Sequence, residues 1–265
     1  MSVYKKGKNM IVKKKDIVVT NEWYNLSLFG DWHLGNMDTD EEKVSDVSDF
    51  LGKKKKNEYG VILLGDLVEN VVPGSKGNPF ELKIPDPSNQ SSRAAGYIKK
   101  FKNLVLASVE GNHELRTRKR TGQFLNQAIL EKVYGEDVAK NIYFGYNGML
   151  ILQFKNSKGK NLAKYRIFVT HGNGNATSVS GKLGKIYTLR DRADADIYVQ
   201  GHLHLKLGMC DYIMKENVLR KRVFASCSSY LIEASYAQEA GYKPTDYGIN
   251  KLSLNTKQSE IIGYY

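Results

Sequence analysis

The chain has 265 residues, 41% of them hydrophobic, which is ample for one α/β enzyme domain over residues 1–265. Mean hydropathy is negative, and no apolar run approaches the roughly 20 residues needed to span a bilayer, so no membrane partner is expected. Its two cysteines, Cys210 and Cys227, lack zinc-like spacing and make no disulfide framework, and the net charge is +12.

In chain order, Met1 to Asp16 is lysine-rich but has no apolar segment or small-residue cleavage site. That pattern argues against a secretory signal, and a reducing cytoplasm is the expected location. Residues 1–20 read as an edge strand or a basic arm. The run Tyr24 to Phe29 reads as a buried strand and leads into Gly30-Asp31-Trp32-His33. A helix is expected to start near Thr39 and end at Lys53 to Lys56, where positive charge complements its dipole. Val61 to Leu64 is a second strand, before Gly65-Asp66. Val71 to Ser92 is rich in Pro, Gly, Asn and Ser and reads as a long loop beside the site. Ser92 to Lys102 and Gln123 to Tyr134 read as helices. Between them, Leu104 to Val109 precedes Gly111-Asn112-His113-Glu114. From Ile142 strands dominate: Met149 to Phe154, Tyr165 to Thr170 before His171-Gly172, and Ile197 to Val199 before Gly201-His202-Leu203-His204. Lys182 to Arg192 reads as one intervening helix. Leu207 to Met214, Arg222 to Ser226 and Lys251 to Asn255 are the C-terminal strands, expected to complete a second sheet. No internal repeat or second-domain linker is visible.

All five histidines fall inside these short motifs. Neutral imidazole is the commonest protein metal ligand, and histidine also titrates near neutral pH. Each motif follows an apolar run, so the candidates lie past the carboxyl ends of five strands, the edge where open α/β sheets bind ligands. Glycine adjoins Asp31, Asp66, Asn112, His171 and His202, allowing sharp turns there. Asp31 and His33 are two apart, as are His202 and His204, so each pair points to one side in extended chain. The set is mixed nitrogen and oxygen without thiolate, which suits manganese, iron, zinc or nickel. Taken alone, Asp66 reads as a turn former and His171 as a satisfied buried imidazole. Only the joint pattern favours a site. Trp32, between two candidate ligands, reads as packing, and Glu114 as a group that orients its neighbours.

Asp31-x-His33, Gly65-Asp66, Gly111-Asn112-His113-Glu114, His171-Gly172 and Gly201-His202-x-His204, in this order, resemble the calcineurin-like metallophosphoesterase superfamily over residues 31–204. The resemblance implies a two-sheet sandwich flanked by helices, and two divalent metal ions, manganese above all. Asp31, His33 and His204 would hold the first ion, Asp66 would bridge, and Asn112, His171 and His202 would hold the second. His113 would face the substrate, stabilising the phosphate and protonating the leaving oxygen. Three residues after the bridging aspartate the protein phosphatases carry Asp-Arg, and the DNA-repair nucleases carry His. Here the residues are Glu69 and Asn70. Glu69 is a carboxylate able to orient His113, whereas the missing Arg weakens a protein-phosphatase reading. The complete Gly201-His202-Leu203-His204 block favours the phosphodiesterase and nuclease branches.

The basic balance is either a solvated surface or a footprint for polyanions. Of the basic clusters, Arg116, Arg118, Lys119 and Arg120 leave the active-site edge directly and are the candidate contacts to substrate phosphates. The sequence thus points to a metal-dependent hydrolase of phosphodiester bonds in nucleic acid. Small phosphoesters or cyclic nucleotides are the alternative substrates, and an inactive nucleic-acid-binding scaffold is the third possibility.

Overall fold

A computed structural model describes residues 10–75, 77–174, 176–232 and 248–264. Among them, runs rich in Val, Ile, Leu and aromatic residues form eleven strands: β1 (Ile11–Val18), β2 (Trp23–Phe29), β3 (Tyr59–Leu63), β4 (Val105–Ser108), β5 (Asn147–Lys155), β6 (Asn161–Thr170), β7 (Ile197–Gln200), β8 (Leu207–Lys215), β9 (Val218–Ser226), β10 (Asn250–Asn255) and β11 (Ile261–Tyr264). Six helices accompany them: α1 (Glu41–Gly52), α2 (Pro87–Lys100), α3 (Glu114–Thr121), α4 (Leu125–Tyr134), α5 (Glu136–Ile142) and α6 (Val179–Tyr187). No described helix is long and apolar enough to cross a membrane.

The strands make two mixed sheets, ordered β1-β5-β6-β7-β9-β8 and β11-β10-β2-β3-β4. The main core fills the space between them, with Leu26, Leu28, Ile62 and Leu64 from one sheet meeting Leu152, Phe154, Ile167 and Val169 from the other. A second cluster lies under α1, α2, α4 and α5, and a third lies between β7 and β9 and α6. The result is the expected α/β sandwich, with helices outside both sheets.

Local chemistry explains the helix positions. In α1, Val44, Val47, Ser48 and Leu51 recur on one buried face, and the Asp40 side chain accepts the Lys43 N–H at 2.8 Å. Each buried aliphatic contributes about 1.5–3 kcal/mol. Lys53 to Lys56 follow this helix rather than forming its last turn, and the Lys54 ammonium lies 4.1 Å from the Phe50 ring centroid.

Two expectations change, and one helix joins the expected elements. The long loop ends at Asp86, because Asp86 caps α2 by accepting the Ser88 N–H at 2.8 Å and Pro87 opens the helix. The basic stretch after Glu114 is itself a helix, α3. The C-terminal strands do not complete one sheet. β8 and β9 extend the sheet containing β7, whereas β10 crosses to pair with β2 and carries β11 with it. Of the 1–20 stretch expected as an edge strand or a basic arm, β1 forms an edge strand parallel to β5, and residues 1–9 lie outside the described residues.

Candidate metal centre

The carboxyl ends of β2, β3, β4, β6 and β7 meet at the seam between the two sheets, and every candidate ligand lies within four residues of one of them. The turns that place them are strained. Asp31, His33, Asp66, Asn70, His202 and His204 all have φ between 47° and 64°. The left-handed region costs a non-glycine residue roughly 1–2 kcal/mol. Among the other described non-glycine residues only Glu216 and Asn217 share it, in the tight β8–β9 turn, where strand twist favours it. Such strain persists only where the surroundings over-determine it.

Those surroundings are visible. The buried Glu114 carboxylate accepts three backbone N–H groups, from Leu67 at 2.6 Å, Gly111 at 2.9 Å and Asp66 at 3.0 Å. Gly111 allows this contact, because a Cβ there would overlap the Asp66 carboxylate and amide. The Asp31 carboxylate accepts the His202 N–H at 3.0 Å and the Cys227 thiol at 3.1 Å, and its backbone carbonyl accepts the Tyr230 N–H at 3.0 Å. Trp32 is fully buried against Phe29, a packing residue as expected.

The side chains fall into sets whose donor atoms lie within 4.8 Å of one another: Asp31–His33–His204, His33–Asp66–His113 and Asp66–His171–His202. Asn112 joins the last, with its Oδ1 2.9 Å from His171 Nε2. In the tautomer set by Leu64, His171 Nδ1 donates to the Leu64 carbonyl at 2.6 Å. Its Nε2 lone pair then faces the Asn112 oxygen and, at 3.1 Å, Asp66 Oδ2. His33 is arranged likewise. Its Nδ1 faces Glu69 Oε2 at 3.1 Å, and its Nε2 faces His204 Nε2 at 3.2 Å. Without a metal a proton can bridge these atoms, since burial opposes charge on His171 but Asp66 and Asp31 outweigh it and raise the imidazole to about 10. The same cluster of ring nitrogens and carboxylate oxygens fits divalent metal ions in the proton's place. Burial and the neighbouring imidazoles hold His202 down to about 4 and hold His204 well below its ordinary value. Neutral imidazole is the form that ligates metal.

His113 stands between these sets and α3. Its Nδ1 lies 2.8 Å from the Glu69 carbonyl oxygen and 3.3 Å from Glu69 Oε1, and Arg116 Nη2 approaches its Nε2 at 3.0 Å. Burial opposes charge on His113, but Asp66 and Glu69 outweigh it and raise the imidazole above its ordinary value. Arg116 also donates to the Glu69 carbonyl at 2.8 Å.

The basic cluster therefore divides. Helical geometry turns Arg116 inward onto Glu69 and His113, away from the outer rim. Arg120, one turn on and exposed, donates to the Gly74 carbonyl in the preceding loop. Arg118 packs 4.2 Å from the Phe124 ring centroid and donates to the Tyr146 hydroxyl, while Lys119 is exposed. Two supports escaped sequence reasoning. Asn70 donates to the His113 carbonyl at 2.6 Å and accepts the Thr117 hydroxyl at 3.0 Å. The Cys227 to Tyr230 stretch backs Asp31 from nearly 200 positions away, without any motif.

The profile of the family described as calcineurin-like phosphoesterase matches residues 25–206, more than half of the chain. The chain belongs to the calcineurin-like phosphoesterase family. No curated protein matches it significantly. Among solved structures it is similar to a predicted phosphoesterase from Streptococcus pneumoniae, with 13% identity, 92% of this chain and 100% of that chain covered, and a TM-score of 0.34. It is also similar to Vps29 from Entamoeba histolytica (10% identity, 91% and 99% covered, TM-score 0.42) and to GAP50 of Plasmodium (14% identity, 92% and 84% covered, TM-score 0.44). Family membership and the His/Asp sets support a phosphoesterase hydrolase that binds divalent metal.

Proposed function

We propose that this phosphoesterase hydrolyses phosphodiester bonds, with nucleic acid as its substrate, using two divalent cations. Asp31, His33 and His204 hold one, Asn112, His171 and His202 the other, and Asp66 serves both. Bound divalent cations supply Lewis acidity toward a phosphoryl oxygen and activate water as nucleophile; manganese suits this donor set, as do iron, zinc and nickel. The chain's own residues do the rest. Glu69 orients His113 and favours its protonated form, and His113 contacts the phosphate and gives a proton to the leaving oxygen. Arg116 fixes the Glu69–His113 pair from α3. Arg118, Lys119 and Arg120 continue the positive surface away from the site, for a polyanionic strand.

The observation that carries this reading is the convergence of ring nitrogens and side-chain oxygens at His171–Asn112–Asp66 and at His33–His204. The complete donor set opposes the inactive-scaffold reading. The net charge of +12 supports a polyanionic nucleic-acid substrate over a small phosphoester of low charge. A manganese-supplemented activity panel tests it, with a chromogenic diester, a monoester, single- and double-stranded DNA and cyclic nucleotides. Hydrolysis of DNA and the diester is expected. Turnover of the monoester or cyclic nucleotides alone would move the substrate to small phosphoesters, and no turnover of any member would remove the enzymatic reading.

A further inference from the structure

Beside Asn112 and His171 the surface sinks into a cavity of about 200 Å³. Ligand pockets commonly run to about 300–1,000 Å³, so this one suits a single ring system rather than an extended ligand. Its lining combines three kinds of chemistry. Glu110 is only 1% exposed; its Oε2 accepts the Tyr143 hydroxyl at 2.6 Å, while its Oε1 is buried with no hydrogen-bond partner among the described residues. A buried carboxylate oxygen left without a donor is costly, and a ligand N–H would relieve it. Tyr146 is 42% exposed, and Arg118 steadies it by donating to its hydroxyl and packing 5.0 Å from its ring centroid. Exposed Arg192 stands in the same lining beside His171. A flat aromatic face, an acceptor short of a donor and a cationic neighbour thus share one cavity wall with two candidate metal ligands.

We propose that this cavity binds the nucleobase of the nucleotide whose phosphate lies at the metal centre. The base stacks on Tyr146, an N–H of its edge donates to Glu110, and Arg192 faces the phosphate. The proposal rests on the phosphodiesterase reading above and adds base recognition to it. A carboxylate acceptor prefers edges rich in N–H donors, as when Glu or Asp accepts from cytosine N4. Guanine, cytosine and adenine offer amino groups. Thymine offers one ring N–H flanked by two carbonyls, and so ranks last.

Isothermal titration of the full chain in manganese-containing buffer tests this, with dGMP, dCMP, dAMP, dTMP and 2-deoxyribose 5-phosphate as probes. The first three should each bind at least about 5-fold tighter than the base-free sugar phosphate, the low end of what base stacking supplies. Tyr146→Ala, at a position exposed enough to spare the fold, should bring the nucleotides down toward the sugar phosphate. Glu110→Gln, whose amide can donate, should weaken dCMP and dGMP more than dTMP. Equal affinity of nucleotides and sugar phosphate for the wild-type protein would overturn the base site while leaving the phosphoesterase reading intact. If no probe binds and the activity panel is also blank, the phosphodiesterase reading itself falls and takes the base site with it.

Discussion

Glu69 is the residue on which the proposed acid chemistry turns, and Glu69→Gln tests it with little change of shape. Burial pushes its carboxyl up, but His113 and His33 outweigh burial and hold it well below its ordinary value. The reciprocal effect is that Glu69 helps to hold His113 in its protonated form. At the observed 3.3 Å, Coulomb attraction sets an upper bound of about 5 kcal/mol for an effective dielectric of about 20. The amide of Gln can still accept from Nδ1, and the Glu69 backbone carbonyl, 2.8 Å from Nδ1, is untouched by the change. The loss is therefore closer to the difference between a charge-assisted and a neutral hydrogen bond, about 1–1.5 kcal/mol. At 1.36 kcal/mol per pH unit the imidazole pKa falls by about one. The sign follows: Glu69 favours imidazolium, so its neutralisation depletes the acid form sooner as pH rises. The alkaline limb of the kcat/KM profile should move about one unit lower for a dinucleotide, whose leaving oxygen needs a proton. Above that limb the loss is about 10-fold, and well below it much smaller. A nitrophenolate leaving group should show little of this shift. Metal content is measured in parallel, because Glu69 also faces His33 at 3.1 Å. An unmoved alkaline limb at wild-type metal content refutes the reasoning.

Four further outcomes are expected. His113→Ala should keep its metal by elemental analysis yet lose about 100- to 10,000-fold in turnover of a dinucleotide, with a smaller loss for nitrophenyl esters. Asp66→Asn should weaken binding of both cations, since Asp66 belongs to donor sets on both sides; two tightly held metals in that variant contradict the shared role. Replacing Arg118, Lys119 and Arg120 by Ser, with Arg116 kept, should flatten the log-log salt dependence of single-stranded DNA binding by up to about 0.7 per lost phosphate contact; an unchanged slope makes the cluster a solvated surface. Gly111→Ala forces a Cβ into the Asp66 amide and carboxylate and should cost about 1–3 kcal/mol, a fall of several degrees in the thermal midpoint.

What the sequence made legible follows from how local each signal is. The five strand ends could be read because each metal-candidate motif carries a glycine just past an apolar run, a pattern contained in about ten residues. Helix α2 was obscured by composition: Pro, Asn and Ser read as loop, although Asp86-Pro87 is an N-cap and first-turn pair. Helix α3 carries almost no apolar periodicity, with only Glu114 and Thr117 buried. Its first turn is tied down instead by Glu114 reaching backbone groups of β3's outgoing turn. That bond joins residues 47 positions apart, and no local pattern announces it. The inward turn of Arg116 was hidden for the same reason, since a charge run looks uniform until helical geometry separates its members. The division of the C-terminal strands between the sheets depends on β10 choosing β2 as partner, a long-range pairing that strand propensity does not specify.

The strain and the electrostatics of the site have a common logic. A sequence selected for stability alone would place glycine at left-handed turns and pair each buried lone pair with a donor. Here Asp31, His33, Asp66, His202 and His204 adopt those turns without being glycine, and their side chains belong to clusters of metal-ligating nitrogens and oxygens. Each departure is countered by ordinary bonds placed just behind it: Glu114 on three amides, the His202 amide on Asp31, Leu64 on His171 and Asn70 on His113. These supports hold backbone and ring orientation, and leave the facing nitrogens and oxygens free to act on a cation. Rigid scaffolding behind and unmet donor capacity in front are what a preorganised metal site requires, because ligands already held in place need little reorganisation when the ion arrives. The proposed base site at Glu110 would repeat this arrangement on a smaller scale, with Tyr143 fixing one carboxylate oxygen and the other, unpartnered among the described residues, meeting the N–H of the base.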